Sequence, residues 1–239
     1  MRLLGVLGGK DLATLLNLKF EGADGSNVIT DSSQYNRTAT AFGTAVLSST
    51  NPLSGGSSLF LGTSGYVAVP NFTTPLGGTT LRTIEFRMQI DLANIANNES
   101  QGVFVKGYSY NFGYDYSHQA ILTRNNSGNG GVLKVWFNIS VIATALAYIT
   151  IPIPDISQNN HIAIVIRAVN GLYVGYLNGV AVGSSSFSQE YVANALDFEI
   201  APTLYNWDTS TQTGRFKGRL DNFKLSNVDR YPDNFTPPV

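Results

Sequence analysis

The sequence predicts an all-β fold, a two-sheet antiparallel jelly-roll sandwich, and three observations carry that prediction. Short segments alternate apolar and polar residues along most of the chain, which is the period of a half-buried strand. The 24 glycines and 9 prolines are spread between those segments, so turns are as frequent as short strands require. Helical spacing is not sustained anywhere beyond the brief apolar run at 12–16.

Taken in order, residues 16–21 (LNLKFE) alternate and run into the turn cluster Gly22, Asp24 and Gly25. Residues 58–70 (SLFLGTSGYVAVP) read as two short strands around a glycine-containing turn. In 83–90 (TIEFRMQI), Ile84, Phe86, Met88 and Ile90 alternate with polar neighbours. The turn signal 125–131 (NNSGNGG) leads into a strand from Leu133 to Phe137. Residues 161–182 hold two Asn-Gly dipeptides flanked by β-branched and aromatic residues, which predicts a three-stranded meander. The last segment, 216–239 (FKGRLDNFKLSNVDRYPDNFTPPV), holds a strand with Leu220, Phe223 and Leu225 as its apolar set, an Asp221-Asn222 pair inside it, and a Pro237-Pro238 stop. No fixed-period repeat and no linker divides the chain. Residues 16–239 are therefore expected to form one sandwich, with 1–15 as an N-terminal arm.

Composition excludes several classes. Hydrophobic residues at 43% can fill a core, while charged residues at 13% and a net charge of −1 leave no basic surface for nucleic acid. Cysteine is absent, so disulfides and thiolate metal sites are impossible. That fits assembly in a reducing cytoplasm, and equally a cysteine-free secreted protein. Residues 1–16 (MRLLGVLGGKDLATLL) are interrupted by Gly8-Gly9, Lys10 and Asp11, unlike a signal peptide, and are read as a retained arm. No run reaches the length of a membrane span, so no membrane partner is expected.

The closing segment carries a family resemblance. Gly218, Leu220, Asp221, Asn222, Lys224, Leu225, Arg230, Tyr231, Asn234, Phe235, Thr236, Pro237 and Pro238 resemble the end of laminin-G-like domains of the concanavalin A-like superfamily. The version they look closest to is the one found in bacteriophage structural proteins and bacterial surface proteins. Residues 16–38, Ser57 to Leu61 with Gly65-Tyr66-Val67, Thr83 to Phe86, and Leu177 to Val180 match in the same order. Two departures stand out: Asn160-His161 replaces the usual Trp-His pair, and the loops at 108–118 and 206–214 are longer. The resemblance implies a non-enzymatic virion structural protein, a capsid decoration or tail-fibre adhesin at the virion surface. Its partners would be other virion proteins or copies of itself, and host-surface glycans would be a further ligand. The alternative is a lectin-like carbohydrate-binding domain of an extracellular bacterial protein.

Candidate chemistry is sparse. The histidines, His118 and His161, leave little room for a catalytic triad; His161 is expected to be structural and His118 a surface or loop residue. Asp197-Phe198-Glu199 has the spacing of a glucanase acid–nucleophile pair but lacks a further upstream glutamate, so no catalytic residues are assigned. Asp24, Asp31 and Asp221 fall in segments expected to be neighbours and could hold a structural Ca²⁺; in turns such residues ordinarily accept backbone hydrogen bonds instead, and no metal ligand or cofactor is assigned. Tyr108, Tyr110, Phe112, Tyr114 and Tyr116 repeat every second residue, and would share one face, inward or outward, if they lie on one strand. The segment Tyr205, Asn206, Trp207, Asp208 sits in a Thr/Ser-rich loop near Arg215; these five are the expected ligand- or partner-binding residues. A loop packing its own rings is the competing reading.

Overall fold

The computed structural model describes residues 6–7, 10–72, 81–108, 115–140, 147–167, 171–186, 197–206, 208–209 and 211–238. Two antiparallel sheets pack face to face. One, the broad sheet, runs from edge to edge through Ala147–Ile153, Gly131–Ser140, Asp115–Arg124, Ser100–Tyr108, Phe198–Ile200, Tyr66–Val69, Thr38–Phe42 and Val28–Thr30. Gly214–Arg215 adds a short parallel pairing beside Ser100–Tyr108. The other, the strapped sheet, runs through Val180–Ser186, Leu172–Leu177, Asn160–Arg167, Arg82–Ile90, Gly218–Ser226, Ser58–Phe60 and Val46–Ser48, with Thr14–Leu18 also paired to Gly218–Ser226. Among the described residues the only helical element is the 3-10 turn Leu92–Asn94, and no helix is long and apolar enough to cross a membrane. This is the jelly-roll-type sandwich that the sequence predicts.

Strand alternation builds the core. In Arg82–Ile90 the side chains of Ile84, Phe86, Met88 and Ile90 point inward and are buried, which sends Thr83, Glu85, Arg87 and Gln89 to the outer face. Phe86 and Phe223 of the strapped sheet stack at 5.4 Å between centroids. Phe104 and Phe198 of the broad sheet stack at 5.9 Å. Edge contacts at 6.1 and 5.8 Å tie Phe104 to Phe86 and Phe223. This four-ring cluster joins the two sheets at their centre.

Three local expectations change. Leu220, Phe223 and Leu225 all reach the core, although a gap of three between the first two breaks strict alternation. A bulge between Asp221 and Lys224 absorbs the extra residue, and Asn222 takes the left-handed conformation it needs (φ 47°). The two strands within 58–70 do not form a hairpin: Ser58–Phe60 lies in the strapped sheet and Tyr66–Val69 in the broad one. The chain crosses between sheets through Gly62 (φ 57°) and Gly65, where a Cβ would fall 2.3 Å from the Leu61 carbonyl oxygen. Val6–Leu7 pairs with Lys10–Asp11, residues 12–13 turn, and the strand that enters the sandwich begins at Thr14. The run at 12–16 therefore does not form a helix, and Leu15 is already buried in the core.

The meander forms as expected, with Asn178 (φ 50°) and Gly179 (φ 81°) making the left-handed two-residue turn between Leu172–Leu177 and Val180–Ser186. Beyond Ser226 the chain does not simply stop. Residues 227–238 fold back across the outer face of the strapped sheet as a strap. Tyr231 and Phe235 stack on each other at 3.5 Å and 7° and pack on Ala163, Val165, Val174 and Tyr176. Arg167 pins the strap: it pairs with Asp229 at 2.8 Å and donates to the carbonyls of Tyr231 and Pro232 at 3.0 and 2.7 Å. The closing motif singled out in the sequence is thus a covering element.

Candidate functional site

The broad sheet's outer face carries the expected loop. Tyr205–Asn206 pairs with Thr211–Gln212, and the hairpin base is closed by Leu204 and Thr213, whose backbones are joined at 2.7 Å and whose hydroxyl contact is 2.9 Å. The segment leading into it lies on Gly102, where a Cβ would meet the Pro202 carbonyl oxygen at 2.2 Å. Asn206 is 2% exposed, not the open loop residue expected from the sequence. Its amide donates to Ser100 Oγ at 2.9 Å, and its Oδ1 accepts from the Asp208 backbone N–H at 3.0 Å. Asn206 therefore positions Asp208.

Asp208 meets a cation that the sequence reading did not include. Lys134 Nζ lies 3.0 and 2.9 Å from its two carboxylate oxygens. The same ammonium sits 3.8 Å from the centroid of the Tyr148 ring and 5.2 Å from that of Trp136. Register explains the grouping: Trp136 pairs with Tyr148, and Lys134 with Thr150, so alternation places Lys134, Trp136 and Tyr148 together on the outer face. Trp136 is buried, whereas Tyr148 is 43% exposed. The result is a half-open aromatic ring beside an exposed carboxylate and a shared ammonium. The pattern KVW at 134–136 held this signal; only cross-strand register reveals its connection to Tyr148.

Arg215 belongs elsewhere. Its guanidinium lies 4.1 Å from the centroid of Tyr66 and donates to the Ala201 carbonyl at 3.2 Å. Phe42, 41% exposed, stacks on Tyr66 at 4.7 Å. The predicted set is thus divided: Asn206 and Asp208 join the Lys134 group, and Arg215 the Tyr66 group. Tyr205 lies in the short strand, and Trp207 lies outside the described residues.

The remaining candidates fall into place. Asp197 accepts from the Asn71 backbone at 2.9 Å. Burial pushes the nearby Glu199 carboxyl up, against the lowering charge of Arg215. His118 is not on the surface; it lies buried in Asp115–Arg124, and burial, followed by the charges of Arg82 and Lys106, lowers its pKa to about 3. It is neutral across the physiological range. Tyr108 and Tyr116 fall on adjacent strands, in successive register pairs, and not on one strand; Tyr110, Phe112 and Tyr114 lie outside the described residues.

The three aspartates considered for calcium are each engaged separately. Asp24 accepts from Ser49, Asp31 from the backbones of Asn17, Ser33 and Arg37, and Asp221 from Ser58 and the Asn222 backbone. Among the described residues, no group of three His, Asp or Glu side chains is placed to hold a metal ion.

His161 lies on the strapped sheet, 3% exposed, with Nε2 3.6 Å from Glu85 Oε2. Tyr231 of the strap donates its hydroxyl to the same oxygen. Burial raises the Glu85 carboxyl, but His161, Lys224 and Tyr231 together hold it below the usual carboxylate range.

No family model matches the chain, and no curated protein does. Solved structures do. The binding domain of botulinum neurotoxin serotype C1 superposes with a TM-score of 0.62 at 15% identity, covering 91% of this chain and 49% of that one. The chain thus spans about half the length of the neurotoxin binding domains it matches. Domain 4 of AbnA, a GH43 extracellular arabinanase from Geobacillus stearothermophilus in complex with arabinotriose, superposes with a TM-score of 0.58 at 16% identity, covering 90% and 93%. The binding domain of botulinum neurotoxin DC in complex with SialylT gives 0.59 at 14% identity, covering 91% and 48%. At these identities the likeness is one of fold. The chain shares the β-sandwich of these domains.

Proposed function

We propose that the chain is a non-catalytic carbohydrate-binding module that holds a glycan on the outer face of the broad sheet. The observation that carries this reading is the half-exposed Tyr148 ring beside the Lys134–Asp208 pair, with Asp208 fixed by buried Asn206. A sugar needs an apolar surface for its C–H face and fixed donors and acceptors for its hydroxyls, and this cluster offers both. Two of the structural neighbours support the class, one in complex with arabinotriose and one with SialylT.

Within that class we place the module on a phage particle, as a capsid decoration or tail-fibre adhesin; the support is the resemblance of the 218–238 segment. An extracellular bacterial lectin-like domain is the second reading, favoured by the arabinanase domain, which this chain matches over nearly its whole length. A glycan array, with and without calcium, and mass analysis in solution test both. Binding lost on Tyr148→Ala supports the site. Binding undiminished by Tyr148→Ala and Asp208→Ala contradicts it, and self-assembly without any glycan signal leaves the virion structural role alone standing.

A further inference from the structure

The Arg215 group, apart from the Lys134 cluster on the broad sheet, frames a second depression. Register sets its floor and flanks. Ala68 pairs with Glu199 on one side and with Thr40 on the other, and Tyr66 pairs with Phe42. Val67, Val69, Phe198 and Ile200 fill the core, so alternation turns Tyr66, Ala68 and Glu199 outward. Ala68 is a single methyl between larger neighbours, and it stays partly exposed, so the floor is open. Next to it stands a ladder: the Arg215 guanidinium lies 4.1 Å from the Tyr66 centroid, and Phe42 stacks on Tyr66 at 4.7 Å. Two groups this close to one centroid must take opposite faces of the ring. Phe42 is therefore the open end of the ladder, 41% exposed.

The polar groups of this depression are open to a ligand. The Glu199 carboxylate accepts no hydrogen bond among the described residues; burial raises its pKa, and Arg215 lowers it by charge without ion-pair contact. Glu199 is only partly buried. Arg215 gives one N–H to the Ala201 carbonyl at 3.2 Å and keeps the rest of its fork. Glu199 lies in the Ala68 row and Arg215 beside the Tyr66 row, and such diagonal neighbours in a sheet stand ~7–8 Å apart. A carboxylate ligand would suit Arg215 and be repelled by Glu199; an amine would do the reverse. A secondary amide points its N–H and its C=O in opposite directions, so one amide satisfies both groups. A methyl on its carbonyl then fits over Ala68 against the Phe42 ring. We propose that this depression is a second sugar-binding position, for a residue that carries an acetamido group, of the N-acetylhexosamine type. The acetamido N–H donates to Glu199, and its carbonyl oxygen accepts from Arg215. The proposal extends the glycan reading above to a sugar class, and it uses none of the side chains of the Tyr148 site.

The test is calorimetric titration of the full chain with diacetylchitobiose beside cellobiose, which has hydroxyls in place of the acetamido groups. N-acetyllysine amide, which carries the same group without a sugar, is the third ligand. The expected result is binding of diacetylchitobiose about tenfold or more tighter than of either of the others. A loss of about tenfold is expected on Glu199→Ala and on Phe42→Ala, the scale of a charge-assisted hydrogen bond or a ring contact, and no change on Tyr148→Ala. Phe42 is exposed, so its variant decides the matter if Glu199→Ala disturbs the fold. Equal binding of the two disaccharides, no binding of the acetylated one, or N-acetyllysine amide bound as tightly would each overturn the proposal. So would acetylated binding untouched by Phe42→Ala, or lost on Tyr148→Ala. The Tyr148 reading is judged separately, by glycan binding on the array and its response to Tyr148→Ala.

Discussion

The two outer faces of the sandwich obey the same alternation and end in different states. On the strapped sheet, Glu85 and His161 point away from the core yet are almost fully buried, because the strap lies over them. On the broad sheet, Tyr148 and Phe42 point away from the core and stay more than two-fifths exposed. A strand pattern states which residues face out. It does not state whether water or another stretch of chain meets them there. The covered face has become a second, partly polar core, while the open face retains rings and charges available to a ligand.

Four changes would break or sharpen that contrast. The largest effect belongs to the core shared by both faces: Phe223→Ala removes a ring in contact with Phe86, Phe104 and Phe198 and should cost about 3–5 kcal/mol in urea unfolding. Next comes Asp221, buried on Gly218–Ser226. Burial pushes its carboxyl up to about 6, against hydrogen bonds from Ser58 and the Asn222 backbone. A carboxyl held above its unfolded value favours the folded state while protonated. Its contribution is full below pH 3.8 and is lost as pH rises to about 6. Asp221→Asn should therefore flatten the stability profile over that window by about 2–3 kcal/mol. Glu85, held low, runs the other way: its contribution is full above pH 4.5 and is lost as pH falls from there through its lower folded value. Comparing wild type and Asp221→Asn by urea titration between pH 3.5 and 7 checks the sign.

Arg167→Ala releases the strap and should cost about 2 kcal/mol, with faster hydrogen exchange at Tyr231 and Phe235 and unchanged glycan binding at the broad sheet. If binding fell with it, the two faces would not be independent. The smallest effect is that of Asp208→Ala, which removes an ion pair whose carboxylate is half exposed. It should alter stability by less than about 1 kcal/mol while weakening glycan binding about tenfold.

Much of the fold was legible in the sequence because strand period and turn chemistry are local. Ile84, Phe86, Met88 and Ile90 announced an inward face, and Asn178-Gly179 announced a hairpin. What was not legible depended on partners distant in sequence. The 58–70 segment looks like a hairpin locally, but its two strands find partners in opposite sheets. Tyr231 and Phe235 looked like the tail of a motif, and only their stacking over Tyr176 and His161 shows a strap. The site was half visible: Asp208 was singled out, but Lys134 lies 74 residues away and is joined to it across the sheet face. Arg215, near in sequence, turns instead to Tyr66.

The central claim is that the open face of the broad sheet is the ligand face. The most direct measurement is a ¹H–¹⁵N NMR titration of the full chain with neutral oligosaccharides selected on a glycan array. The account predicts shifts gathered on Lys134, Trp136, Tyr148 and Asp208, with the strap unmoved. Shifts confined to residues 227–238, or none for any glycan, would contradict it.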